Sequence, residues 1–269
     1  MTAHDRFRTN IATWGWLWLK HRVVATPLET LAWNLRWILG EFGRRRHPEL
    51  AQVNVEPFLI DLVLDKVLTA DACCLDVGAH IGSTLAAMLD RAPRGEHAAF
   101  EPSRRKSSWL QRRFTSASIH NVALGDSQGS VVFYEDRKRP GFSSLAPAEG
   151  VACDAYQVPL ARLDDLVNAH QRVDFLKIDV EGAELGVLRG AESLFAHQRP
   201  IVLFESGPGA AERCGFSHQG VWEFFGRHEY DVFLLSHFLF DREPLDYTDF
   251  DRCHTYPFRA FNFMAAPRT

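Results

Sequence analysis

The chain of 269 residues has only five cysteines, Cys73, Cys74, Cys153, Cys214 and Cys253. Their number is odd and no two are spaced C-x-x-C, which argues against a disulfide framework and a zinc knuckle. A reduced, cytoplasmic setting is the expectation. Long apolar runs are lacking too. None approaches the roughly eighteen residues of a membrane-spanning helix, and the start, MTAHDRFRTN, has no apolar core of the kind a signal peptide needs. Positive charge is not in surplus: 30 Lys and Arg face 34 Asp and Glu, for a net charge of −4. A nucleic-acid partner is therefore not expected, since such proteins usually carry a strongly basic face. The dinucleotide fingerprint G-x-G-x-x-G is also absent. An NAD-linked sugar-modifying enzyme would need it.

Hydrophobic residues make up 46% of the chain, enough to bury a substantial core. The length suits one large domain with an extension. We place the boundary between residues 55 and 56: residues 1–55 as an N-terminal helical extension, residues 56–269 as the main domain. Five of the seven tryptophans fall in the extension, namely Trp14, Trp16, Trp18, Trp33 and Trp37. Leu31, Leu35, Ile38 and Phe42 recur at helical spacing, and Pro27 separates two helical pieces. The segment reads as an arm packing on the core or on a second subunit, which would make a homo-oligomer. Tryptophan interleaved with arginine also suits a membrane surface, so peripheral contact through residues 1–50 is the competing reading.

From Glu56 onward helix-like and strand-like segments alternate. Phe58–Leu68 reads as a helix. Strand signals lie at Cys73–Val77, His97–Phe100, Ile119–Leu124, Phe175–Asp179, Ile201–Phe204, Val232–Leu235 and Phe261–Ala265, with extra strands at Ser130–Tyr134 and Tyr156–Leu160. Helical spacing marks Ser83–Leu89, Ser103–Phe114, Ala183–Phe195 and Val221–Phe225. Such alternation implies a mainly parallel sheet covered on both faces, and ligands of open α/β sheets bind beyond the carboxyl ends of the strands.

The chemistry concentrates at those ends. Asp76-Val77-Gly78-Ala79-His80-Ile81-Gly82 is an acidic strand end followed by a glycine loop that opens a helix. Gly78 allows a tight turn and close approach of a ligand, and Gly82 allows contact between ligand and first helical turn. Glu101, at the next strand end, is placed to accept from both hydroxyls of a ribose. Asp126, after the third strand, would accept from an adenine amino group or would simply be a turn residue in Gly-Asp-Ser. Lys177, Asp179 and Glu181 alternate along a buried strand, which places them on one face at the binding edge. Candidate bases are Asp179, Glu181, Glu205 and His237. Asp179, Glu181 and Glu205 would also suit a magnesium ion, and the sequence does not choose between base and metal. Residues 136–154, with Gly141-Phe142-Ser143-Ser144, read as a substrate-side cover.

Asp76-Val-Gly-Ala-His-Ile-Gly, Glu101-Pro102, Asn121-Val-Ala-Leu-Gly-Asp126, Phe175-Leu-Lys-Ile-Asp-Val-Glu-Gly-Ala-Glu184 and the closing Asn262-Phe263 together resemble the FkbM family of S-adenosylmethionine-dependent methyltransferases. The resemblance runs over about residues 70–266. His80 departs from it, standing where the family usually has Asn. The resemblance implies a class I, Rossmann-like doubly wound α/β fold on a seven-stranded mainly parallel sheet. It further implies S-adenosylmethionine as cofactor, bound by Asp76, Gly78, Ala79, His80, Gly82, Glu101, Asp126 and Asp179. Methylation of a hydroxyl on a sugar, glycan or polyketide-like acceptor is the implied reaction. The alternative from another class is a non-catalytic assembly partner of the same fold, which would not need the acidic strand ends.

Overall fold

The structure, a computed structural model, describes residues 50–136, 143–146, 150–167 and 171–268. The helices expected before residue 50, and Gly141-Phe142 of the expected cover, lie outside the described residues.

Two helices lead in, α1 (Ala51–Asn54) and α2 (Glu56–Val67). Then come β1 (Cys74–Val77), α3 (Ser83–Arg91), β2 (His97–Phe100), α4 (Arg104–Arg113), β3 (Ser118–His120) and β4 (Ala123–Leu124). A hairpin-like pair follows, β5 (Gly129–Asp136) and β6 (Cys153–Ala161), then α5 (Leu163–Leu166) and β7 (Phe175–Ile178). The second half runs α6 (Glu184–Arg189), α7 (Glu192–His197), β8 (Ile201–Glu205), α8 (Ala210–Arg213), α9 (His218–Arg227) and β9 (Tyr230–Leu234). It closes with α10 (Leu235–Leu239), α11 (Tyr247–Cys253) and β10 (Asn262–Pro267).

Seven strands form the main sheet in the order β3-β2-β1-β7-β8-β10-β9. Neighbours pair in parallel from β3 to β8, and β10 runs antiparallel between β8 and β9. The expected doubly wound α/β sheet is the observed one. Strands β1, β2 and β7 are buried at every position, as parallel strands covered on both faces must be. Alternate residues divide between the two faces. Leu75, Val77, Leu176, Ile178, Val202 and Phe204 join a large core with Phe195, Phe224 and Phe225. Cys74, Phe175, Leu203 and Met264 meet Val63 and Leu64 of α2 on the other face. Asp76 and Lys177, Cα partners in the β1–β7 register, sit side by side on this second face.

Two expectations need correction. The run Ile119–Leu124 is not one strand. Ser118–His120 pairs with β2, whereas Ala123–Leu124 leaves for a separate three-stranded sheet, β4-β6-β5. Asn121 marks the break, its amide donating to the carbonyls of Glu101 and Pro102 at 2.9 Å each. Nor is 183–195 one helix. It divides at Gly190, where a side chain would overlap the carbonyl of Gly125.

Glu56 fastens the start of α2 to the last strand. Its buried carboxyl group accepts from the Phe261 and Asn262 N–H groups at 2.8 and 3.3 Å and from the Asn262 amide at 2.8 Å. Among the described residues, no helix is long and apolar enough to cross a membrane.

Candidate active site

A cleft opens at the carboxyl ends of β1, β2 and β7, lined by Gly78, His80, Glu101, Lys106, Asp179 and Glu181 among others. The small sheet and the segment between its strands β5 and β6 also line it, through Phe133, Ser143, Ser144 and Leu145. That sheet is tied to the main one by Glu135, which accepts from the Ser103 hydroxyl at 2.9 Å and the Tyr156 hydroxyl at 3.2 Å. Ser103 also caps α4.

The loop after β1 turns through left-handed backbone at Gly78, His80 and Gly82, with φ of 75°, 52° and 85°. At Gly78 a side chain would overlap the Asp179 carbonyl, so the glycine lets β1 and β7 close on each other at their ends. At Gly82 it would strike Leu110 and Phe114. Packing against Leu110 and Phe114 therefore already requires a glycine here. Ala79 is buried in the same apolar cluster.

Glu101 is almost wholly buried at the cleft wall. One carboxylate oxygen accepts from the His80 N–H at 2.8 Å and the other from the Ser103 N–H at 2.9 Å. Burial pushes its pKa up, opposed chiefly by Lys106. Each oxygen keeps a further lone pair, since a carboxylate has about four acceptor sites.

Lys177 is the hub beneath the cleft. Its buried ammonium donates to the Gly78 carbonyl at 2.7 Å and the Val77 carbonyl at 3.3 Å. It lies 3.3 Å from Asp76 and 3.4 Å from Asp179. Burial opposes the lysine charge, but the Asp179 and Asp76 carboxylates hold its pKa above the ordinary value. Asp76 is fully buried, and neither of its oxygens has a hydrogen bond of good geometry among the described residues. Burial raises its pKa against the pull of Lys177. Asp76 thus stands behind the cleft rather than on its surface.

Asp179, Glu181 and Glu205 converge, with one oxygen of each carboxyl group lying within 4.8 Å of the others. Burial opposes ionisation of Asp179, yet Lys177 and a hydrogen bond from Glu205 hold its pKa below the usual carboxylate range. Glu205 is pushed well above that range by burial and by Asp179. Glu181 is pushed up to about 8, first by burial, then by Asp179 and Glu184. The opposed shifts favour the charge on Asp179 and the proton on Glu205.

Three expectations fare differently. Lys177, Asp179 and Glu181 do meet, but not by strand alternation. Strand β7 ends at Ile178, and Glu181 arrives through a left-handed turn with φ of 58°. Asp126 is exposed and not among the cleft-lining residues. The bond from the Gly125 N–H to the Ala161 carbonyl carries the chain into the small sheet. His237 lies on α10, which packs against α2, and its ring meets the Glu243 carbonyl at 3.1 Å. It is not brought to the cleft either. Lys106, a buried lysine on the first turn of α4, lines the cleft unforeseen. In sequence it is one cation among several on a polar helix.

The sequence profile of the Methyltransferase FkbM domain matches residues 76–232, more than half of the chain. The AMB antimetabolite synthetase AmbE of Pseudomonas aeruginosa is 30% identical over 182 residues, covering 51% of this chain and 8% of that protein. Methyltransferase 1 of Beauveria bassiana is 27% identical over 172 residues, covering 53% of this chain and 69% of that protein. The crystal structure of Methyltransferase FkbM from Methylobacillus flagellatus KT aligns with a TM-score of 0.47 at 19% identity, over 74% of this chain and 44% of that one. The chain thus spans a small part of the first relative and less than half of the solved structure. From the profile match over residues 76–232, the chain belongs to the FkbM methyltransferase family.

Proposed function

We propose that this chain is an S-adenosylmethionine-dependent O-methyltransferase acting on a hydroxyl of a sugar, glycan or polyketide-like small molecule. Residues 56–269 are its methyltransferase domain and residues 1–55 an extension. The observation that carries the reading is the convergence of Asp179, Glu181 and Glu205 at the mouth of a cleft that also holds Glu101.

The fit to the cofactor rests on the donor set. Glu101 offers lone pairs to a ribose, and Val122, Ala123, Leu124 and Phe133 offer an apolar slot to an adenine. The acidic edge suits a cationic sulfonium. The cofactor supplies a methyl group on positively charged sulfur. The chain positions the acceptor oxygen and removes its proton as the new bond forms, and positioning dominates such a transfer. Glu181 is the base we assign. A general base works best with a pKa near the working pH, and Glu181 is pushed up to about 8. Asp179, clamped by Lys177 and Glu205, is the fixed anion beside it. His237 has no part in this assignment.

A second reading has the same carboxyl groups holding a magnesium ion, which takes oxygen ligands. The 4.8 Å convergence favours it. Incubation with carbon-13 methyl-labelled S-adenosylmethionine and a pool of sugar and polyketide alcohols tests the function. The labelled methyl should appear with the carbon-13 shift of an O-methyl ether. Label on nitrogen or sulfur acceptors alone would overturn the hydroxyl assignment. Activity abolished by a chelator and restored by magnesium would select the second reading.

A further inference from the structure

Glu181 sits in left-handed backbone, φ 58°, followed by Gly182 at φ 110°. Residues with a Cβ populate that region sparsely, so something must hold the turn. On one side the hold is steric: a side chain on Gly182 would overlap the Ala210 carbonyl, which fixes the turn against the start of α8. On the other side it is Glu184. A single oxygen of its carboxyl group accepts from the Val180 N–H at 3.1 Å and the Gly182 N–H at 3.0 Å, bracketing Glu181. Glu184 is almost wholly buried and begins α6. As a mere cap, its carboxylate would serve the first N–H groups of its own helix. Besides meeting its own N–H, the carboxyl group makes these two bonds backward, to the turn that delivers Glu181 to Asp179 and Glu205.

We propose that Glu184 is a positioning residue, its carboxyl group locking the Val180–Gly182 turn so that Glu181 reaches the acidic edge of the cleft. The role assigned to Glu181 rests on the proposed function, but the lock itself is open to test without any acceptor. Glu184→Gln removes the charge and keeps an oxygen that can accept from both N–H groups.

The experiment uses the full chain and follows amide exchange at Val180 and Gly182. In Glu184→Gln both amides should stay protected. In Glu184→Ala protection of both amides should fall about tenfold or more, as expected when a hydrogen bond worth about one power of ten is lost. A folded Glu184→Ala protein with both amides protected as in wild type would overturn the proposal. Should that variant not fold, Glu184→Gln decides alone: exposed amides there overturn it. Absence of methyl transfer to any hydroxyl would count against the proposed function and leave this reading standing.

Discussion

A side chain added at Gly78 would run into the carbonyl oxygen of Asp179, so the glycine loop after β1 and the acidic end of β7 are built against each other. The same glycine has φ of 75°. Gly78→Ala therefore combines overpacking with strained backbone, and should cost about 2–4 kcal/mol. Urea denaturation checks this; a change under about 0.5 kcal/mol would mean the two strand ends are not in contact. The sequence suggested that Gly78 leaves room for a ligand. The structure gives it a prior duty, to the fold.

Glu101 should govern cofactor affinity. Replacing it with Ala removes the lone pairs offered to the ribose and also releases the His80 and Ser103 N–H groups. Calorimetry should show S-adenosylmethionine binding weakened by about 2 kcal/mol, roughly thirtyfold. Unchanged affinity would move the ribose elsewhere.

The acidic cluster should make stability fall as pH rises. Glu205 and Glu181 have folded pKa values above the ordinary carboxylate range. Between that range and their raised values the folded chain binds more protons than the unfolded one, so stability declines with pH. Their contribution is fully present below the unfolded pKa and is lost as pH climbs through about 8, where Glu181 ionises. Glu205→Gln should flatten the decline between pH 6 and pH 8.5 by on the order of 1 kcal/mol, allowing for solvent screening. Thermal melts across that window check it, and an identical slope in both proteins would remove Glu205 from the cluster's proton balance.

Much of the frame was legible because buried parallel strands are written as short apolar runs. Leu75-Asp76-Val77, His97–Phe100 and Phe175–Ile178 carry that signature and end where the cleft opens. The division of Ile119–Leu124 between two sheets was not legible. Apolar residues flank His120-Asn121 on both sides, and the choice of partner strand is made by residues distant in sequence. At the site, residue types were readable and the geometry was not. Alternation predicted that Lys177, Asp179 and Glu181 would share a face, whereas the chain leaves the sheet after Ile178 and a turn held by Glu184 restores the meeting. Asp126 shows the converse. It stands at the expected strand end, but that strand belongs to the small sheet, and the side chain reaches solvent.

The most direct test of the account is turnover by Glu181→Gln on whichever hydroxyl acceptor the labelled-methyl screen yields. The substitution keeps the shape of the side chain and removes its capacity to take a proton. The account predicts S-adenosylmethionine binding retained and turnover reduced about 100- to 10,000-fold, the range for loss of a general base. In the wild type the rate should rise with pH through about 8, as Glu181 becomes the anion. Wild-type turnover by Glu181→Gln, with the same pH profile, would contradict it.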